Sequence, residues 1–317
     1  MAGRLNGRSP ARSNSRRPLT SVNWPWITDW LARWMLPPYF AVFSFAMVVY
    51  FLRRDLIGID SRIYARAAAT WLAGGDPWFV PVHGYLFAAP PPTLLPFVPF
   101  GLLGESVTAT FWVLGSLVAG ILIIRHLQLP IWWILFPPLV NGILAGNADV
   151  LLVALLLRGG SAGAALAAFL KIYALVPVIG ERRWRALLLT VTALAVTVPF
   201  LPWAAYLDKS EEIVGTLARQ AIGISGYGTP WLMIATAIAL VRLGSRLGGW
   251  LAVPALWPHT QLHYSTLALP ALARTQATPM AAFVAALLFA PEIRWLPAVA
   301  VLVLTIGTIV RGLRRTA

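Results

Sequence analysis

Long apolar runs separated by short polar clusters recur along almost the whole chain. A helix rises about 1.5 Å per residue and a bilayer core is about 30 Å thick, so a span needs roughly 17–25 apolar residues. On that template the runs near 36–52, 92–104, 107–124, 130–143, 147–158, 162–179, 185–203, 230–241, 248–258, 262–273, 278–290 and 295–310 predict about a dozen transmembrane helices. Several runs are short for a full span, which makes them tilted, half-inserted or re-entrant. The expected class is an all-α polytopic membrane protein. Residues 1–35 form a basic cytoplasmic tail with a Trp-rich interfacial segment, and 36–311 a single transmembrane domain. No internal repeat is evident, which weakens an inverted-repeat transporter.

Two polar stretches are long, about 53–91 and 204–229, and alternation places both on the outer face if the tail is inside. In the first, Ser61 can cap a helix that continues to Leu72 and is ended by Gly74 or Gly75. Ile63, Ala67, Thr70 and Trp71 share one face while Arg62 and Arg66 stand at i, i+4, so this helix is expected along the membrane surface. Asp60 then falls just before the helix N-terminus, where backbone N–H groups and the helix dipole hold a carboxylate in its ionised form. A fixed, ionised carboxylate can act as a general base. It can equally be a cap, or a partner for Arg53, Arg54 or Arg62.

Composition strengthens the membrane reading: 59% of the residues are hydrophobic and 11% charged, with a mean hydropathy of +0.74. A dozen spans leave no room for a separate soluble catalytic domain, so any chemistry sits on loops or between helices. The net charge of +14 is carried mainly by arginine clusters between apolar runs. Those at 181–185, 242–246 and 311–315 are cytoplasmic under twelve spans, as the positive-inside rule requires, whereas Arg53 and Arg54 fall outside. Arg4, Arg8, Arg12, Arg16 and Arg17 mark the tail as cytoplasmic, and Trp24, Trp26, Trp30 and Trp34 suit an interface. No nucleic-acid-binding motif accompanies the charge, so no nucleic-acid partner is expected. No cleavable signal is read, and the first helix serves as its own insertion signal. With no cysteine, disulfides and thiol chemistry are excluded.

An aspartate after the first span, Tyr64 four residues on, the turn Gly74-Gly75-Asp76-Pro77-Trp78 and the entry Tyr85-Leu86-Phe87-Ala88-Ala89-Pro90-Pro91-Pro92 together resemble glycosyltransferase family 87 of the GT-C superfamily. The similarity continues through Gly146-Asn147-Ala148-Asp149, Phe169-Leu170-Lys171-Ile172-Tyr173 and Trp257-Pro258-His259-Thr260-Gln261-Leu262-His263-Tyr264, covering roughly 36–290. The resemblance implies a GT-C-like bundle in a bacterial inner membrane with an extracytoplasmic active site. It implies transfer, with inversion, of a mannose-like hexose or a pentose from a polyprenyl-phosphate donor to a lipid or glycan acceptor. Asp60 would be the general base. Membrane lipids are the other expected partners, and no cofactor is expected.

The leaving polyprenyl phosphate needs cationic or N–H partners. Lys171, one of two lysines in the chain, lies inside an apolar run, where an ammonium costs about 2.5–3.5 kcal/mol and seeks a cavity or a partner. A lipid phosphate is one such partner, while pairing with Asp149 or snorkelling to the interface is the alternative. His259 and His263 share a face if helical, yet no H-E-x-x-H pattern accompanies them, so no metal is expected. By resemblance they contact donor phosphate or sugar, with Tyr264 beside them and Arg62 in the same set. Tyr64 and Tyr85 are candidate sugar or acceptor contacts, and either could be a plain interfacial anchor. A polytopic transporter or flippase is the competing reading.

Overall fold

The computed structural model describes residues 33–220 and 223–316. Among these no strand occurs, only an isolated antiparallel bridge between Val82 and Tyr85, so the expected all-α class holds. In chain order the longer helices are α1 Leu36–Arg53, α2 Ile59–Leu72, α3 Glu105–His126, α4 Pro137–Ala145, α5 Ala148–Arg158 and α6 Gly160–Leu170. There follow α7 Trp184–Thr197, α8 Ser210–Gln220, α9 Pro230–Leu243, α10 Ser245–Leu256, α11 Pro279–Phe289 and α12 Leu296–Thr316. Short 3-10 segments and single helical turns join them. Trp24, Trp26 and Trp30 lie outside the described residues, and Trp34 is exposed.

The structure has fewer full-length spans than the dozen expected from the apolar runs. Among the described residues three helices, α1, α3 and α12, are long and apolar enough to cross a membrane, and α4 with α5 adds a fourth if that pair, bent by 116°, is one span. Their outer surfaces expose Phe45, Val118 and Ile306, as lipid-facing helices do. Proline and chain breaks account for the shorter pieces. The run at 92–104 becomes a 3-10 segment Pro91–Phe97 containing Pro96 and a single turn Val98–Gly101. The run at 162–179 breaks at Lys171, whose backbone is extended at φ −141°.

The larger core gathers α1, α3, α4, α5, α6, α10, α11 and α12 around Phe40, Phe136, Trp250 and Phe289. A smaller one lies under the two long loops and holds Trp78, Phe87, Phe97, Trp112 and Ile213. The two loops expected on one face are in contact: Trp78 and Tyr206 pack with ring centres 5.6 Å apart, and Lys209 pairs with Asp76. Asp76 also caps its own turn by accepting from the Trp78 N–H at 3.0 Å, while the Trp78 indole donates to the Ala89 carbonyl at 3.1 Å.

Helix α2 begins one turn-step earlier than its sequence suggests. Gly58, with φ +71°, is the cap, and Asp60 is the second helical residue rather than a residue outside the helix. Ser61 does not cap; its hydroxyl donates back to the Gly58 carbonyl at 2.8 Å. The helix ends where expected, with Gly74 and Gly75 returning N–H groups to Trp71 and Thr70 at 2.9 Å. It is also more enclosed than a helix lying on a membrane, since Ala65 and Ala68 are buried together with Ile63 and Ala67.

A second glycine matches Gly58. Gly146 closes α4 at φ +62°, and a Cβ there would lie 2.8 Å from Ser61 Oγ and 3.2 Å from Gly58 Cα. A Cβ on Gly58 would collide with Ala109. The start of α2 can therefore approach α5 closely because Gly146 lacks a side chain, and α3 because Gly58 does. Gly58→Ala and Gly146→Ala should each lose about 2–4 kcal/mol, combining left-handed strain and overpacking. Thermal unfolding in detergent checks this, and an unchanged midpoint would remove the close approach as a constraint.

Candidate active site

The bend between α4 and α5 is built from two residue types in sequence. Gly146 adopts the left-handed conformation that ends α4, and Asn147 then caps α5 by accepting from the Asp149 N–H at 2.9 Å. Because Asn147 is only 2% exposed, its remaining amide protons need protein partners. Its Nδ2 donates to Asp60 Oδ2 at 2.6 Å and reaches His263 Nε2 at 3.1 Å. The N–H of Asp149 fixes the amide orientation, so Nε2 is the acceptor and the imidazole proton sits on Nδ1. That proton points at Asn141 Oδ1, 3.1 Å away.

Behind this chain lies Asp149, 1% exposed. One of its oxygens accepts from the Tyr173 hydroxyl. The other, Oδ2, has no hydrogen-bond partner and stands 3.5 Å from His263 Nε2. Lys171 terminates α6 and is buried. Its ammonium donates to the Tyr64 hydroxyl at 2.5 Å. With Nζ 5.0 Å from the ring centre, the ammonium sits off the hydroxyl end of the ring, so the contact is a hydrogen bond rather than a cation–π pair. The expected pairing with Asp149 is not a direct contact. Burial raises the Tyr64 phenol pKa above its ordinary value, against the lowering effect of Lys171. Tyr85 is likewise raised, mainly by burial.

These groups open onto one narrow cleft with a cavity volume of about 80 Å³. Asp60, Tyr64, Tyr85, Lys171, His259, His263 and Tyr264 all line it. Seven expected site residues from four separate stretches of the chain thus converge. The histidines arrive differently from the helical pair expected. His259 lies in a turn with left-handed backbone at φ +55°, and His263 lies in the 3-10 segment Leu262–Ala268. The turn is tied to the second long loop, because Ser225 N–H donates to Thr260 Oγ1 at 2.9 Å and the Ser225 hydroxyl donates to the Trp257 carbonyl at 2.7 Å. Leu217 and Gln220 of α8 complete the wall from that loop.

Arg62 does not join the site. Two positions beyond Asp60 on a helix, it points to the other side, where its guanidinium meets Asp55 at 3.4 Å. Its hydrogen bond and charge hold the Asp55 carboxyl below the usual carboxylate range. Arg66 instead pairs with Glu105 and reaches the Pro81 carbonyl at 3.1 Å. Asn141 and Asn147 were not singled out as site residues by sequence, although two asparagines inside apolar runs, one directly after a glycine, carry a visible signal. Among the described residues no group of three or more His, Asp or Glu side chains could hold a metal ion.

Neither a family model, nor a curated protein, nor a solved structure matches the chain. What the cleft can do therefore rests on its own chemistry: a carboxylate, a buried cation and hydrogen-bonding imidazoles around a narrow polar cleft. The buried carboxylate behind it should be sensitive to its one donor. Tyr173→Phe should cost about 1.5–3 kcal/mol, the range for a hydrogen bond to a charged group, with near-normal stability in thermal unfolding counting against the Asp149 contact.

Proposed function

We propose that this chain is a membrane glycosyltransferase that moves a sugar from a polyprenyl-phosphate donor to a lipid or glycan acceptor. What carries the reading is the meeting of Asp60 and Lys171 in one cleft of a helical, membrane-suited protein. In the proposed topology the basic tail is cytoplasmic, the shorter apolar helices complete the dozen spans, and the cleft opens outside a bacterial inner membrane. The sugar is a mannose-like hexose or a pentose.

In the reaction, the acceptor hydroxyl oxygen forms a bond to the anomeric carbon from the face opposite the phosphate. The bond between that carbon and the phosphate oxygen breaks, and its electron pair leaves with polyprenyl phosphate. The acceptor proton passes to Asp60, so the anomeric configuration inverts. Lys171 supplies fixed positive charge for the phosphate, which gains negative charge as it departs. His259, His263 and Tyr264 hydrogen-bond the donor phosphate or sugar, while Tyr64 and Tyr85 border the sugar. Arg62, turned toward Asp55, is left out of this scheme. A transporter would string its polar groups along a path through the helices; their gathering at one cleft favours chemistry.

The decisive assay is transfer of labelled sugar from a panel of polyprenyl-phosphate sugars to lipid and glycan acceptors by reconstituted protein. Asp60→Asn should lower the rate by about 10²–10⁴ while folding normally, the usual worth of a general base. Equal transfer by the two proteins would remove Asp60 from catalysis. Lys171→Met keeps the length of the side chain and removes the charge, and the protein that folds, as checked by thermal unfolding, should lose most turnover. A folded Lys171→Met protein with full turnover would end the phosphate-binding role.

A further inference from the structure

We propose that Asn147 is a positioning residue that fixes the Asp60 carboxylate for proton transfer, an assignment that rests on the transferase reading above. Asn147 is anchored at every polar atom that matters. Its backbone N–H donates to the Gly142 carbonyl at 3.0 Å, its Oδ1 caps α5 through the Asp149 N–H at 2.9 Å, and its Nδ2 divides between Asp60 and His263. Serine, threonine or aspartate would cap the helix about equally well. None of them offers two protons in a fixed plane. The choice of asparagine is thus explained by the groups it faces rather than by the helix it starts.

A carboxylate can rotate broadly about its terminal torsion. The 2.6 Å bond to Oδ2 stops that rotation. It leaves Oδ1, which accepts no hydrogen bond from the described residues, as the oxygen that takes the acceptor proton. The other titratable groups on the cleft are Tyr64, Tyr85, Lys171, His259, His263 and Tyr264, with Asp149 behind His263. None of them has a hydrogen bond to Asp60, so Asn147 alone among the described residues holds it through a side chain.

Asn147→Asp separates the two roles, because aspartate keeps the cap and the size but removes both donated protons. The expected result is a kcat about 10- to 100-fold lower, as for a slightly misplaced catalytic group. KM for the donor should change less than about two-fold. The rising limb of the pH–rate profile should move up by about one pH unit, since a second carboxylate now faces Asp60. A wild-type kcat and profile in Asn147→Asp would overturn the assignment. A second readout needs no activity. The chain has five asparagines, so selective ¹⁵N-asparagine labelling gives a small set of side-chain amide signals, with that of Asn147 identified by its loss in Asn147→Asp. Asp60→Asn should move this signal upfield; an unmoved signal would show that the bond is absent and sink the proposal. If wild type transfers no sugar, the transferase reading falls while the amide signal still decides whether Asn147 holds Asp60.

Discussion

The arrangement hangs on the contact between Gly58 and Gly146. Two helix starts meet there with no side chain between them, and a Cβ on Gly146 would stand 3.2 Å from Gly58 Cα. Each glycine takes the left-handed backbone that a side chain disfavours, and each is followed within three residues by an aspartate at the second position of a helix. The sequence pieces Gly58-Ile59-Asp60 and Gly146-Asn147-Ala148-Asp149 are therefore two versions of one device. Each puts a carboxylate into the positive end of a helix dipole. Packing the two devices together brings the positive ends side by side, and this offsets part of the cost of gathering anionic groups away from water.

That offset matters because the cleft collects charge that an apolar bundle would otherwise reject. Asp149 and Lys171 are both buried, and His263 is 3% exposed. Polar neighbours rather than opposite charges do most of the satisfying: Tyr173 for Asp149, Tyr64 for Lys171, and the amides of Asn141 and Asn147 for His263. Direct ion pairs would lock each charge to another protein group. Hydroxyl and amide partners instead leave the charge available to a ligand, as an ammonium meant for a phosphate would need. The Asp149 oxygen without a hydrogen bond lies in the same buried cluster, 3.5 Å from His263 Nε2.

How much of this could be read in the chain depended on the range of the interaction. The helical class followed from apolar runs, and the end of α2 from Gly74 and Gly75, because both are local. Serine carries the usual capping signal and so points to Ser61, whereas the need for glycine at 58 comes from Ala109, distant in sequence, and from the left-handed backbone. Arg62 was grouped with the site for its charge, but the helix turns it toward Asp55. Asn147 stands in a quoted motif but carries no role in the sequence for the opposite reason, since its partners Asp60 and His263 are 87 and 116 residues away. Hydropathy counts apolar residues without seeing the breaks that Pro96 and Lys171 introduce, so among the described residues fewer of the runs form full-length helices than the dozen expected.

The two lysines sharpen the picture of the cleft. Of 25 basic residues only Lys171 and Lys209 are lysines, and both serve the same region: one lies in the cleft and the other joins its two covering loops by pairing with Asp76. Arginine presents five donors in a rigid fork and, once buried, needs acceptors for most of them. At position 171 the hydrogen-bonded partner is a single hydroxyl, that of Tyr64, whose ring packs on Phe87 and Phe97, so a guanidinium would leave donors unmatched. An ammonium is compact, and its three donors turn freely about one bond. It can keep Tyr64 and still offer a proton to an incoming oxygen, which is the property that a chain otherwise committed to arginine would retain lysine for.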